Sequence, residues 1–361
     1  MRHNQLRRLV FHQHWPILLG LFILLIGISL FQGINGQQEW HNRNDPQNIM
    51  METDGGIHYQ KKTKDYVDRE DHHYASKAAY YTVYRDQELQ VYKTTPTKRT
   101  HTTRGQFGTG RSELSMVIAA IAGITMIWGS RRRYLNEFLR TLGYRGDQIY
   151  RQQFLLYSSA IVSGLVLGSV LKLALLASRI PSHYWAGFNG ATWGLDLISD
   201  VLLAVGLFTL ASALNLIFVN GIIALATVVL AYTCWWLPAA VYLNATTHVG
   251  ANYLSRHWAT GNGLLLGLIL GSFCLANWLS KRRTLENTGN AVIRGFRLPG
   301  LLLLSLPLAV FIGRIFSPIL VVSTSWSAVF IGWIIALIGL TAWLYRPKWS
   351  RWIWRLVGQL R

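Results

Sequence analysis

The chain has 361 residues, 51% of them hydrophobic and 14% charged, and the apolar residues fall in long unbroken runs. A soluble protein of this size needs a polar face on most of its helices, so the patterning argues against one. A formal charge of +19 points to nucleic acid or to a membrane, but residues 32–113 hold 12 Lys/Arg and 11 Asp/Glu, which leaves 23 basic against 5 acidic residues beside the apolar runs. That bias is what the positive-inside rule produces, and no nucleic-acid partner is expected.

Taken in chain order, residues 1–14 form a basic, amphipathic segment ahead of a first apolar run at 15–34. The run is long enough to span and lacks a small-residue cleavage site, so it reads as a retained anchor. Residues 35–113 make the one large polar segment: a Gln/Asn/His-rich start, a surface helix expected over 66–92 with Tyr74, Tyr80, Tyr81 and Tyr84, and a flexible return over 94–110. It reads either as a small cap domain or as a partly disordered loop, because little apolar area is available to offset ordering. Further spans are expected at 114–130, 154–177, 195–219, 221–243, 262–279, 299–316 and 326–345, giving about eight. A basic loop at 280–298 and a basic tail at 346–361 complete the chain, grouped as 114–279 for spans two to six and 299–345 for spans seven and eight.

Placing the N-terminus in the cytoplasm puts nineteen basic residues inside, among them Arg7, Arg8, Arg140, Arg145, Arg151 and Lys281, against Arg179, Arg256 and Arg314 outside. Both termini are therefore expected to be cytoplasmic, with 35–113 extracytoplasmic. The fold class expected is an all-α polytopic membrane protein.

Few groups suggest chemistry. Cys234 and Cys274 both lie in apolar runs, His72 and His73 lie in polar sequence beside Asp68 and Asp71, and no G-x-x-x-x-G-K-[ST] stretch exists to cradle a nucleotide phosphate. The chain is not expected to be an enzyme, and no metal or cofactor is expected in it. Ionisable residues inside spans are costly and so draw attention: Lys172 late in span three, with Asp196 and Asp200 one helical turn apart at the start of span four. They suggest an ion pair joining the two spans, or a gating group. Asn215 has the chemistry to join helices by a hydrogen bond. In the inner connection, Leu135, Phe138, Leu139 and Leu142 recur at helical spacing, and Gly143 and Gly146 then break the helix around Tyr144 and Arg145. A short amphipathic helix of this kind either packs on lipid headgroups or inserts into a groove on a partner.

With these features the chain resembles a permease subunit of the ABC-2 family of ABC transporters, and is most similar to the bacterial branch associated with GntR-regulated, bacitracin-resistance and envelope-stress operons. In that family a basic N-terminus leads into span one, a sizeable outer loop precedes span two, and a cytoplasmic coupling helix, here 134–150, lies between spans two and three. Glu137, Phe138, Leu139, Leu142, Gly143, Tyr144, Arg145, Ile149 and Tyr150 carry the likeness, and Leu142-Gly143-Tyr144-Arg145 stands where the family commonly has Leu-Pro-x-[Ser/Thr]-Arg. A second likeness follows span six in Arg283, Glu286, Gly289 and Phe296. The resemblance implies an ABC-2-type exporter in a bacterial cytoplasmic membrane, with cytoplasmic ABC ATPase subunits that bind ATP and Mg, a second permease subunit and membrane lipids as partners. Leu135 to Arg145 would then contact the ATPase, and the cargo would be hydrophobic, a peptide or envelope-related. The alternative is a membrane sensor or scaffold that uses the 35–113 segment.

Overall fold

Apolar runs of twenty residues or more can satisfy their backbone polar groups in hydrocarbon only as helices, and the computed structural model has them in that form. It describes residues 2–45, 57–60, 65–68, 72–94, 103–110, 112–132, 135–217, 258–282 and 334. The spans expected at 221–243, 299–316 and 326–345, the second likeness at 283–296 and the tail at 346–361 lie outside the described residues, Ile334 alone excepted.

The elements are α1 (Arg2–Arg43), β1 (Ile57–Gln60), β2 (Asp65–Asp68), β3 (His73–Tyr74), α2 (Lys77–Glu88), β4 (Tyr92–Thr94), β5 (Thr103–Gly105), α3 (Glu113–Arg132), α4 (Leu135–Thr141), α5 (Gly146–Arg179), a 3-10 turn (Ser182–Trp185), α6 (Gly190–Ile217) and α7 (Trp258–Arg282). Four stretches are long and apolar enough to cross a membrane: Gln5–Arg43, Glu113–Ser130, Gly146–Arg179 and Gly190–Ile217; the apolar part of α7, Leu265–Lys281, is shorter. The protein is thus a multi-pass α-helical chain. Helix α1 runs well past the expected 15–34: its 42 residues rise about 63 Å, roughly twice a hydrocarbon core.

Two compact units divide the chain: residues 1–13, 119–157 and 206–361, and residues 14–118 and 158–205. In the first unit α3 and α6 meet at Gly123, where a Cβ would sit 2.3 Å from the Phe208 carbonyl oxygen. Aromatic rings join α5 to its neighbours: Tyr157 stacks on Phe208 at 6.2 Å between centroids, and Phe154 lies 5.5 Å from Phe208 and 4.7 Å from Phe273 of α7.

In the second unit α1 packs on α5 through small residues. Gly164 faces Leu25 and Gly168 faces Ser29, a spacing of four that lets two helix backbones approach closely. Beyond these contacts the 35–113 segment forms structure of its own. β1, β2 and β3 make an antiparallel sheet in that order, with Tyr59 opposite Tyr66 and Tyr66 opposite Tyr74, and β4 pairs with β5. The helix expected over 66–92 occupies only 77–88. Ser76 starts it by accepting a hydrogen bond from the Ala79 amide at 3.1 Å, and Tyr66, Tyr74 and Tyr92 belong to strands. The expected α-helical character holds for the membrane-length helices, while the 35–113 segment adds five short strands among the described residues.

A core of Trp40, Leu89, Val91, Tyr92, Phe107, Leu176, Ile180 and Tyr184 holds this region, and the Trp40 indole donates to the Leu89 carbonyl at 3.2 Å. The tightest approach is Gly36 of α1, where a Cβ would lie 1.9 Å from the Phe107 carbonyl oxygen. Gly36→Ala is accordingly expected to cost about 1–3 kcal/mol, as overpacking does. Gly20→Ala, on the same helix with nothing within 4 Å, is expected to be neutral or stabilising. Thermal unfolding of the two variants in one detergent checks the contrast.

Candidate functional site

The expected coupling segment 134–150 is a short helix, a turn and the first residues of a long helix. α4 ends in a Schellman motif: the Tyr144 amide donates to the Leu139 carbonyl at 3.1 Å and the Gly143 amide to the Arg140 carbonyl at 2.9 Å, with Gly143 at φ 85°. Glycine adopts this conformation without strain, which gives the Leu-Gly-Tyr-Arg sequence its local meaning. α5 begins two residues later. The Gln148 side chain accepts from the Arg145 amide at 3.2 Å, and Asp147 in the first turn complements the helix dipole. Arg145 Nε lies 3.3 Å from one Asp147 carboxylate oxygen and Arg151 3.9 Å from the other.

The apolar stripe of α4 is divided in two. Leu135 and Leu139 are buried, Leu139 completely, in a cluster with Leu6 and Val10 of α1 and Ile149 of α5, against which Tyr144 also packs. Phe138 and Leu142 remain 54% and 52% exposed. Glu137 lies in the first turn of α4, half-buried. Sequence spacing put all four apolar residues on one face without separating anchor from free surface.

Two contacts that the sequence did not suggest tie α4 to its surroundings. The Arg140 guanidinium donates to the Ser280 carbonyl near the end of α7 at 3.2 Å, and Gln153 of α5 donates to Asn136 at 3.3 Å and to Ser130 of α3 at 2.9 Å. Asn136, Arg140, Gln153 and Ser280, with Tyr150, which shares a 2.9 Å hydrogen bond with Ser212, line a cavity of about 30 Å³. Arg140 was legible only as one more inner positive charge.

The polar residues expected inside spans fall in separate places. Asn215 is fully buried and donates to the Ile124 carbonyl of α3 at 2.7 Å, so it joins two helices. Lys172 is buried and donates to the main-chain carbonyls of Thr109 and Gly110, at 3.4 and 3.1 Å, with the Asp200 carboxylate near enough to act on its charge. Asp196, exposed at its own position, acts instead on Tyr92. The expected grouping of Lys172 with the two acids is thereby spread over a wider set that includes the return segment after β5. Among the described residues, no three His, Cys, Asp or Glu side chains gather as a metal site.

In comparisons with protein-family models, curated proteins and solved structures, nothing matches the chain. What its own residues define is a multi-pass α-helical protein with four membrane-length apolar helices among the described residues.

Tyr92 gives this region a pH dependence. Burial, then the Asp196 carboxylate, push its phenol from 10.0 up to about 12, with the Thr109 side chain partly opposing them. Since the folded value lies above the unfolded one, its contribution is complete below pH 10 and is lost as pH rises towards 12. Alkaline unfolding followed by tryptophan fluorescence is expected to show this loss, and Tyr92→Phe to flatten it.

Proposed function

We propose that the chain is the membrane-spanning permease subunit of an ABC-2-type exporter in a bacterial cytoplasmic membrane. A separate ATPase subunit binds ATP and Mg, a second permease subunit completes the pathway, and a hydrophobic, peptide or envelope-related substrate moves outward. The observation that carries the reading is α4: a seven-residue helix between two membrane-length helices, anchored by Leu135 and Leu139 and offering Phe138 and Leu142 to a partner.

Its connections suit a lever. A push on Phe138 reaches α1 through Leu139 against Leu6 and Val10, α7 through Arg140 on the Ser280 carbonyl, and α5 through the rigid Gly143 to Arg145 turn. Such a helix, seated in a groove of an ATPase, converts rigid-body closure of that subunit into displacement of the helix ends. The basic residues around α4, on this reading, mark the cytoplasmic side.

The purified complex with its ATPase tests the proposal. Phe138→Glu and Leu142→Glu, which alter exposed residues, are each expected to cost about 2 kcal/mol or more of association, a roughly thirtyfold weaker complex, with loss of stimulated ATP hydrolysis. Leu139→Ala is expected instead to destabilise the permease itself by about 2–5 kcal/mol. Full stimulation in both glutamate variants, or failure of any Walker-motif protein to co-purify, would overturn the reading.

A sensor role has one observation in its favour. Tyr59, exposed, pairs edge-on with the half-buried Tyr66 at 5.2 Å, and the half-buried Tyr74 and Tyr84 pack on the buried Tyr80 at 5.0 and 5.9 Å, a tyrosine cluster of a kind that recognises ligands at low entropic cost. A sensor predicts ligand binding there without ATP-dependent flux.

A further inference from the structure

The first three turns of α1 face α4 in two ways. Leu6 and Val10 are buried against Leu135 and Leu139, whereas Gln5, Arg8 and Leu9 stand on the next face and, with Leu142 and Tyr144, line an open groove of about 460 Å³. His12, one turn beyond Arg8, is also exposed and continues that face. The groove therefore has apolar walls at Leu9 and Leu142, a guanidinium at Arg8, and hydrogen-bonding groups at Gln5 and Tyr144.

We infer that this groove binds the headgroup and first methylenes of an anionic phospholipid. Three observations favour that occupant over an acidic protein segment. The groove lies on α1 two to three turns ahead of the apolar run at 15–34, which sets it at the membrane surface. Arg7 and Arg8 are both exposed there, and no acidic residue stands before Glu39, so the α1 wall of the groove brings only positive charge. On the turn beside the groove, Asp147 is engaged by Arg145 and Arg151 and does not offset the arginines of α1. A phosphodiester on Arg8, with its acyl chain along Leu9 and Leu142, satisfies both the charged and the apolar lining, as interfacial basic helices do. The groove shares Leu142 with the face that the exporter reading offers to an ATPase, but lipid binding rests on Arg8 and Leu9 of α1 and needs no ATPase.

The test uses the full chain in equimolar phosphatidylglycerol and phosphatidylcholine vesicles. A benzophenone-bearing amino acid replaces Gln5 at the groove edge or, as a reference, the exposed Ile23 within the apolar stretch. Photo-adducts at position 5 are expected to favour phosphatidylglycerol about fivefold, the effect of roughly one basic residue at an anionic surface. Arg8→Gln is expected to bring the ratio close to one, and Arg8→Lys to keep it. Labelling at position 23, expected without preference, verifies insertion of every variant. Equal labelling of the two lipids at position 5, an unchanged preference in Arg8→Gln, or adducts formed with another protein would overturn the inference.

Discussion

The Lys172 ammonium ends on two main-chain carbonyls, those of Thr109 and Gly110, and the packing of its unit depends on that arrangement. A buried cation in a membrane-length helix is costly unless groups with negative partial charge replace water around it. Here the substitutes belong to the segment that returns from β5 to α3, so solvating the lysine holds that segment on α5. The same segment lies on α1 at Gly36, where only a glycine admits the Phe107 carbonyl, and Arg43 stands over the Phe107 ring at 5.6 Å. Three pieces of chain far apart in sequence are fastened at one place, one by charge and one by the absence of a side chain.

That fastening accounts for the elements described within 35–113 in spite of the segment's polar composition. Counted alone, the segment has too little apolar surface to form a core. Its core is shared: Trp40 comes from the end of α1, Leu176 and Ile180 from the end of α5, and Tyr184 from the 3-10 turn, with Leu89, Val91, Tyr92 and Phe107 as the segment's own share. The membrane-length helices extend past the length a bilayer needs and donate their ends, which explains why α1 is much longer than its apolar run. β4 is held in the same way, since the Val91 amide donates to the Tyr184 carbonyl at 2.9 Å and the Val91 carbonyl accepts from Gln106 at 2.8 Å.

What was legible in the sequence follows from how far each signal reaches. Span positions within the described residues depend on hydropathy alone, a local property: α1, α3 and α5 each contain the expected run, and α6 contains 195–217 of the expected 195–219. The break after Leu142 was legible because Gly143 and Gly146 carry their conformational meaning in their own identity. Partners were not legible. The spacing of Lys172, Asp196 and Asp200 suggested a pair between spans, yet a backbone carbonyl carries no residue-specific mark, so Thr109 and Gly110 left no sign of their part. Likewise the stripe on α4 revealed a face but not its division, which is set by Leu6 and Val10 more than a hundred residues earlier.

The unit that holds α4 is joined differently. Its buried polar links are side-chain hydrogen bonds: Tyr150 with Ser212, Gln153 with Ser130 and Asn136, and Asn215 with the Ile124 carbonyl. In hydrocarbon each such bond is worth only about 0.6–2 kcal/mol, because a displaced donor finds another acceptor among neighbouring hydroxyls and carbonyls. The apolar contact of Leu139 with Leu6 and Val10 depends instead on burial and holds α4 on α1. Apolar contact thus holds α4 to α1, while side-chain hydrogen bonds join α3, α5 and α6 beside it.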